Sequence, residues 1–319
     1  MVTDDEATTD SATNRSAFEH VTVLRDEVCL AIAPRDGGLY LDLTLGGGGH
    51  TEAILEACGP SGRVIGIDRD PRARVAAAAR LQRFGDRLTI VDARMSAARS
   101  VLDSLGISQV NGVIADLGIS SPQIDDPSRG MSFRSDGPLD MRMDTSRGET
   151  AAELIDRLDE KELADLLFTL GDERASRPIS RAILRARDEG KLLRTGDLAA
   201  AVYRVLGPKR FGKNKSADPA TRTFQALRIA VNDELGELEA MLASLPNMLT
   251  MGGIAAIISF HSLEDRQVKW AFREDPSLVP LTKKPIDPSE SEQLRNPRSR
   301  SAHLRVARRV DALLSEDDR

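Results

Sequence analysis

The stretch Leu39-Tyr40-Leu41-Asp42-Leu43-Thr44-Leu45-Gly46-Gly47-Gly48-Gly49-His50 decides the fold. Bulky apolar residues run straight into four glycines, and Thr51-Glu52-Ala53-Ile54-Leu55-Glu56-Ala57 then favours a helix. Strand, tight turn and helix start is the arrangement that brings bare backbone against a nucleotide-like ligand. Four glycines in a row lose much chain entropy on folding, which argues against an idle turn. The dinucleotide fingerprint G-x-G-x-x-G does not close here, because its last position is Thr51 counted from Gly46 and Glu52 counted from Gly47. Close backbone approach is therefore allowed without the usual pyrophosphate signature.

Working outward, Arg63–Asp68, Arg87–Asp92 and Val110–Asp116 each read as a strand ending in a carboxylate. Helical segments lie between them, notably the alanine-rich Arg72 to Leu81, and a short helix over Asp26 to Ala33 precedes the first strand. This alternation predicts a parallel sheet with helices on both faces, an α/β Rossmann-like core. After Asp116 the pattern stops, and residues 117–148, rich in Gly, Pro, Ser and Asp, read as a functional irregular stretch.

A run of helices follows. Thr150 with Glu153, and Asp159 with Glu162, form consecutive capping boxes. Apolar stripes run through Leu163, Leu166, Leu167 and Leu170, then Ile179, Ala182, Ile183 and Ala186, then Leu198, Val202, Val205 and Leu206. Asp218-Pro219 reads as the N-cap and first position of one long helix carrying Phe224, Leu227, Val231, Leu235, Leu238 and Leu245. Gly253–Phe260 resumes the sheet, Ser262 with Asp265 caps another helix, and Leu304–Ala307 is a last strand. The resulting parse is a core of residues 18–124 and 219–310, interrupted by a mostly helical substrate-recognition insertion, 125–218. A disordered tail, 1–17, and an acidic tail, 311–319, flank it.

With 40% hydrophobic and 29% charged residues the 319-residue chain has the composition of a soluble globular protein. No run reaches membrane-span length and Met1 to His20 lacks a signal core, so a cytoplasmic protein with no membrane partner is expected. Two cysteines, Cys29 and Cys58, cannot build a disulfide framework or a metal cluster, and no metal site is expected. The formal net charge of −6 hides an uneven distribution. Glu173 to Arg228 hold 14 Lys/Arg against 5 Asp/Glu, and Arg295 to Arg309 hold 6 basic residues and no acidic ones. Two basic segments in an acidic chain predict a surface for a polyanion.

Strand ends are where open α/β sheets bind ligands. Asp68, nineteen residues past Gly49, suits ribose hydroxyls, while Asp92 and Met95 are placed to border an adenine. Directly after the fourth strand, Asp116-Leu117-Gly118-Ile119-Ser120-Ser121-Pro122-Gln123 puts a carboxylate at the cleft and, in Gln123, a side chain that both donates and accepts.

Six blocks then occur in order: Asp42 to His50, Asp116 to Gln123, Gly130 to Phe133, Gly137 to Asp144, Ala220 to Ala226 and Ser259 to Arg266. Together they resemble the MraW/RsmH family of bacterial small-subunit ribosomal RNA cytosine-N4 methyltransferases, from about His20 to Arg309. The resemblance implies a class I methyltransferase core, S-adenosyl-L-methionine as cofactor and a decoding-centre cytosine of 16S ribosomal RNA as substrate, met within the small subunit. It carries cofactor contact to Gly48, Gly49, His50, Asp68, Met95, Asp116 and Gln123. Position 95 is commonly aromatic in relatives, and here a thioether packs where a ring would stack.

Cytosine N4 is a poor nucleophile because its lone pair is delocalised into the ring. Hydrogen-bond acceptors beside the amine would localise that pair for in-line attack, with Asp116 the best placed and Ser120 next to it. No covalent intermediate is required, and neither cysteine sits in a strand-end motif. No aromatic follows Asp116, so Phe133 is the nearest stacking partner for a flipped base and Phe260 a second, although each reads first as a core residue. Substrate contacts are expected from Phe133, Arg142, Lys209, Arg210, Lys213, Lys215, Arg222 and His261. His50 is expected to touch the cofactor rather than to act as a base. A homodimer is left open, and two other classes are weighed: a nicotinamide oxidoreductase, disfavoured by the broken glycine frame, and a non-catalytic RNA-binding protein.

Overall fold

The structure is a computed structural model and describes residues 22–208 and 218–312. The tail 1–17, the loop cations Lys209, Arg210, Lys213 and Lys215, and most of the acidic tail lie outside the described residues. Seven strands form one sheet: β1 (Leu39–Asp42), β2 (Arg63–Asp68), β3 (Leu88–Asp92), β4 (Val110–Asp116), β5 (Leu249–Ser259), β6 (Leu278–Pro280) and β7 (His303–Arg309). Their order is β3-β2-β1-β4-β5-β7-β6. Strands β1 to β5 are mutually parallel, as the strand–helix alternation requires. The sheet is mixed rather than purely parallel, because β7 runs antiparallel to both β5 and β6. Strand direction is set by the connection, and residues 281–302, which include the helix Glu290–Arg295, bring the chain back antiparallel beside β6 instead of through a parallel crossover.

Side chains alternate across each strand, so one strand feeds two cores. Leu41, Ile65, Ile67, Val113 and Ala115 point to one face, where the helices Glu234–Met248 and Ser262–Glu274 supply Leu238, Met241, Val268 and Phe272. Tyr40, Val64, Ile114 and Ile258 point to the other, against Val28 of the helix Arg25–Ile32 and Ile54 of the helix Gly49–Ala57. Both faces are covered, which fits near-continuous apolar strands. A third cluster is helical. It joins Leu154, Leu163, Leu167, Ile179, Ile183, Leu198 and Val202 from the helices between Ala151 and Leu206. Both capping boxes form, at Thr150 with Glu153 and at Asp159 with Glu162.

Three local expectations need correction. The single long helix is two, Thr221–Asn232 and Glu234–Met248, broken where Asp233 adopts φ 50°. The first of these buries Phe224, Ala226 and Leu227 in the helical cluster rather than against the sheet. Asp218 does not cap it. Its Oδ1 accepts from the Ala220 N–H and the Tyr203 hydroxyl, closing a turn upstream of Thr221. The helix Ser262–Glu274 is capped by His261, whose Nδ1 accepts from the Glu264 N–H at 3.4 Å, one residue before the expected Ser262.

The break at Asn232 has a tertiary cause. Asn232 is buried, its Oδ1 accepts from the Met143 N–H (2.8 Å), and its Nδ2 donates to the carbonyls of Met141 (2.7 Å) and Arg228 (2.9 Å). It thereby holds Met141, a fully buried residue at φ 62°, in the left-handed region. Asn232→Ala leaves two buried backbone groups of the 141–143 segment unpaired and is expected to cost about 2–4 kcal/mol. Urea unfolding at unchanged slope measures it, and a loss below about 1 kcal/mol would show that the bonds are replaceable.

Candidate active site

The chain moves outward from β1 to β2 and β3, then returns to place β4 on the other side of β1. The crevice at the carboxyl ends of β1 and β4 is therefore the switch point of the sheet, the favoured ligand site of open α/β folds. A cavity of about 340 Å³ lies there, walled by Gly46, Gly47, Asp68, Asp116, Ser120 and Phe260 among others. A smaller one of about 60 Å³ shares Thr44, Leu117, Gly118 and Met143 with it and reaches Met95.

The four glycines divide the labour. Gly48 caps the helix Gly49–Ala57 at φ 79°, and a Cβ there would stand 2.8 Å from Leu81 Cδ1. A Cβ on Gly49 would overlap the Thr22 hydroxyl. Those two permit internal packing, and Gly48 is not part of the cavity wall. Gly47 is different: it lines the cavity and a Cβ on it would meet nothing within 4 Å. Bare backbone at Gly47 is what a ligand could approach.

Carboxylates gather around this turn. Asp42 is buried and accepts from the Thr51 hydroxyl (2.7 Å) and the Thr44 N–H (3.1 Å). Burial pushes its carboxyl above the usual range, against the lowering pull of the Thr51 bond and of His50. Asp68 accepts from the N–H groups of Gly46 (2.8 Å) and Asp70 (2.8 Å), and burial raises it too. His50 is 5% exposed, with Nε2 3.7 Å from Asp116 Oδ2. Among the described residues, neither ring nitrogen of His50 nor the buried Oδ1 of Asp116 has a hydrogen-bond partner. Buried polar atoms left unsatisfied are rare, and both of these residues line the cavity.

Beyond β4 the wall is fixed by a buried ion pair. Ser120 and Gln123 cap the helix Ser121–Asp125, with Gln123 Oε1 accepting from the Ser120 N–H (3.0 Å). The Gln123 amide donates to Asp70 Oδ2 (2.8 Å), so both of its ends are already engaged. Arg129 donates to the same Oδ2 at 2.6 Å and to the Met143 carbonyl. Sequence reading missed Asp70 and Arg129. Asp70-Pro71 did carry a helix-cap signal, and Asp70 caps the helix Pro71–Leu81. Nothing local marks Arg129.

The opposite wall comes from β5 and the helical layer. Phe260, His261, Gln225 and Arg228 line the cavity. Arg228 binds Glu234 through two bonds of 2.7 and 2.9 Å, while Glu264 accepts from the Phe260 N–H (2.8 Å) and lies 3.2 Å from His261 Nε2. That imidazole, with its bond, holds the Glu264 carboxyl below the usual range against the opposing effect of burial, the largest single influence. Ligand atoms of Glu234, His261 and Glu264 lie within 4.8 Å of one another, but the guanidinium already neutralises Glu234. Arg228, Glu234 and Glu264 were not singled out in the sequence; only Glu264 stood inside a recognised block.

The remaining expected residues fall elsewhere. Asp92 is closed by Arg74 (2.9 Å) and Arg147 (3.3 Å) and does not wall the cavity. Met95 is half-buried in the side cavity. Phe133 packs edge-on against Phe224 at 5.3 Å inside the helical cluster, so Phe260 is the aromatic at the cleft. Arg142 grips Asp140 through two 2.8 Å bonds, and exposed Arg222 donates to the Asp172 carbonyl (3.1 Å).

A sequence profile of the MraW methylase family matches residues 17–310. The chain belongs to the MraW methylase family. A protein of Sorangium cellulosum named ribosomal RNA small subunit methyltransferase H is 57% identical over 292 residues, 92% of this chain and 91% of its own. One of the same name from Prochlorococcus marinus is 50% identical over 315 residues, 97% and 99% of the two chains. With the strand order above, family membership makes the core a class I methyltransferase fold, and the cofactor of this methylase family is S-adenosylmethionine. The residues present fit it. Asp68 retains acceptor capacity for ribose hydroxyls, the Met95 side cavity is partly apolar for a base, and Asp116 and His50 offer unsatisfied polar atoms beside bare Gly47.

Two measurements separate packing from binding here. Gly47→Leu places its side chain in open space, so it is expected to change stability by less than about 0.5 kcal/mol. Its calorimetric affinity for S-adenosylmethionine is expected to fall at least tenfold. Gly49→Ala is expected to do the reverse, and intact cofactor binding in Gly47→Leu would remove Gly47 from the site. The second concerns Asp42. Because its folded carboxyl is raised, the native chain holds a proton that the unfolded chain releases near its ordinary value of about 4. Stability is therefore lost as pH climbs from there through the raised value. Unfolding midpoints of Asp42→Asn should fall less over that window than those of the parent, and parallel curves would refute the buried-acid reading.

Proposed function

We propose that this chain transfers a methyl group from S-adenosylmethionine to the exocyclic N4 amine of a cytosine in small-subunit ribosomal RNA. The observation that carries the reading is Asp116, a carboxylate at the switch point with one buried oxygen that has no partner among the described residues. S-adenosylmethionine supplies an electrophilic methyl group. The chain's own part is to hold the amine and to localise its lone pair. An amine N–H donated to the Asp116 carboxylate does both, and that carboxylate can then take the departing proton. Phe260 offers a ring face at the cleft for a base drawn out of its stack.

Two further findings support an RNA substrate. Relatives across most of the chain carry the name of small-subunit ribosomal RNA methyltransferases. On the helical layer, Arg174 just before the helix Ser176–Asp188, and Arg177 and Arg185 along it, are exposed, and none is ion-paired among the described residues. Unpaired cations at helical spacing suit a phosphate backbone.

Asp116→Ala is expected to lower turnover on small-subunit RNA by about 10²–10⁴-fold, with RNA affinity changed no more than a few fold. Nucleoside mass spectrometry should show N4-methylcytidine with the parent chain and not with the variant. Unchanged turnover removes Asp116 from the chemistry, and a different methylated nucleoside replaces the substrate.

A further inference from the structure

We infer that the outer face of the helix Ser262–Glu274, with the segment after β6, is a second docking surface for the RNA backbone, apart from the helical layer. The inference rests on the RNA reading above. Arg266, Lys269, Trp270 and Arg273 recur at three- and four-residue steps and so share one stripe of that helix. Its opposite stripe, Glu264, Val268 and Phe272, is buried against the sheet. Lys283 and Lys284 stand exposed just beyond β6, and Lys269, Arg273 and Lys283 line one shallow depression. Thr282 lines it too, and its hydroxyl has no hydrogen-bond partner among the described residues.

These five cations form no ion pair among the described residues. The contrast with their neighbour Asp265 is informative: its carboxylate is closed by two bonds from Arg305, at 2.7 and 2.9 Å. Charge on the inner side is neutralised and charge on the outer side is left open. Amid the cations Trp270, the only tryptophan of the chain, is 47% exposed, with Lys269 Nζ 5.6 Å from its ring. An exposed ring among unpaired cations is how proteins meet single-stranded nucleic acid, the ring stacking a base and the cations tracking phosphates.

Geometry links the stripe to the cavity. The helix is capped by His261, which lines the cavity, and Arg266 follows about 8 Å along the axis. From Arg266 to Arg273 the stripe spans about 10 Å, the rise of about three nucleotides. RNA whose target base sits beside Phe260 can therefore run its flanking backbone along this helix. Other macromolecules fit less well. Protein interfaces are poor in lysine, and a helix that lies on a membrane turns its apolar side to lipid, whereas this one buries it.

The single tryptophan makes the test specific. Full-length chain is titrated with a small-subunit RNA fragment while Trp270 fluorescence and gel mobility are followed together. Anionic phospholipid vesicles form a parallel arm. RNA is expected to quench Trp270 at concentrations that shift the gel, and Lys269→Gln/Arg273→Gln/Lys283→Gln should lower the slope of log affinity against log salt by about 2. Its S-adenosylmethionine affinity should match the parent's. A gel shift without quenching, and with an unchanged slope in the variant, overturns this surface and leaves the RNA substrate intact. Absence of RNA binding at low salt overturns both. Quenching by vesicles alone assigns the stripe to lipid and overturns it as an RNA surface.

Discussion

A buried carboxylate, Asp70, ties together the parts of the chain that wall the cavity. Its Oδ1 caps the helix after β2, and its Oδ2 takes bonds from Gln123 of the turn after β4 and from Arg129 of the long irregular stretch. Both Asp70 and Arg129 side chains are almost wholly buried, at 4% and 3% exposure. Desolvating such a pair is costly, so it is no cheap source of stability; its value is that neither partner can be lost without stranding a buried charge. Three segments far apart in sequence are thereby held in one arrangement. Arg129 extends the bond to the Met143 carbonyl, and Asn232 receives the Met143 N–H, so the helical layer is pinned to the same junction.

That junction explains why the helical layer is placed for chemistry as well as for grip. The helix Thr221–Asn232 belongs by packing to the helical cluster, yet it delivers Gln225 and Arg228 to the cavity wall. Arg228 then meets Glu234 across the break at Asp233. A continuous helix could not have turned Glu234 back onto Arg228 six residues earlier, since neighbours on a helix face lie three or four apart. The break therefore builds part of the wall.

Much of this was legible in the sequence where the signal was local. Strands β2 and β4 run over the residues their apolar patterns marked, and both capping boxes form, because hydrophobic runs and caps depend on near neighbours. The helix break was hidden, since Leu227, Val231, Leu235 and Leu238 keep helical spacing through it and only Asn232's distant bonds impose it. The antiparallel β7 was hidden too, because an alternating pattern carries no direction. At the site, Asp68 and Asp116 stood out by position behind strands, but within the glycine turn the sequence pointed to Gly48 and Gly49 and not to Gly47; Asp70 with Arg129 is a tertiary pairing, and Arg228 meets Glu234 only because the helix breaks. Phe133 and Phe260 were indistinguishable on residue type, and packing alone sent one to a core and the other to the cleft.

The electrostatics of the cavity follow from its position. Asp42, Asp68 and Asp116 arrive together because three parallel strands end side by side, and burial raises the first two. Carboxyls so crowded favour a cationic guest, since a positive charge beside Asp42 and Asp68 opposes the burial that raises them. A sulfonium is such a guest, and it carries no proton with which to neutralise the acids. On the proposed reading, methyl transfer removes that charge, so Asp42 and Asp68, which burial raises, favour the charged donor over the neutral thioether product.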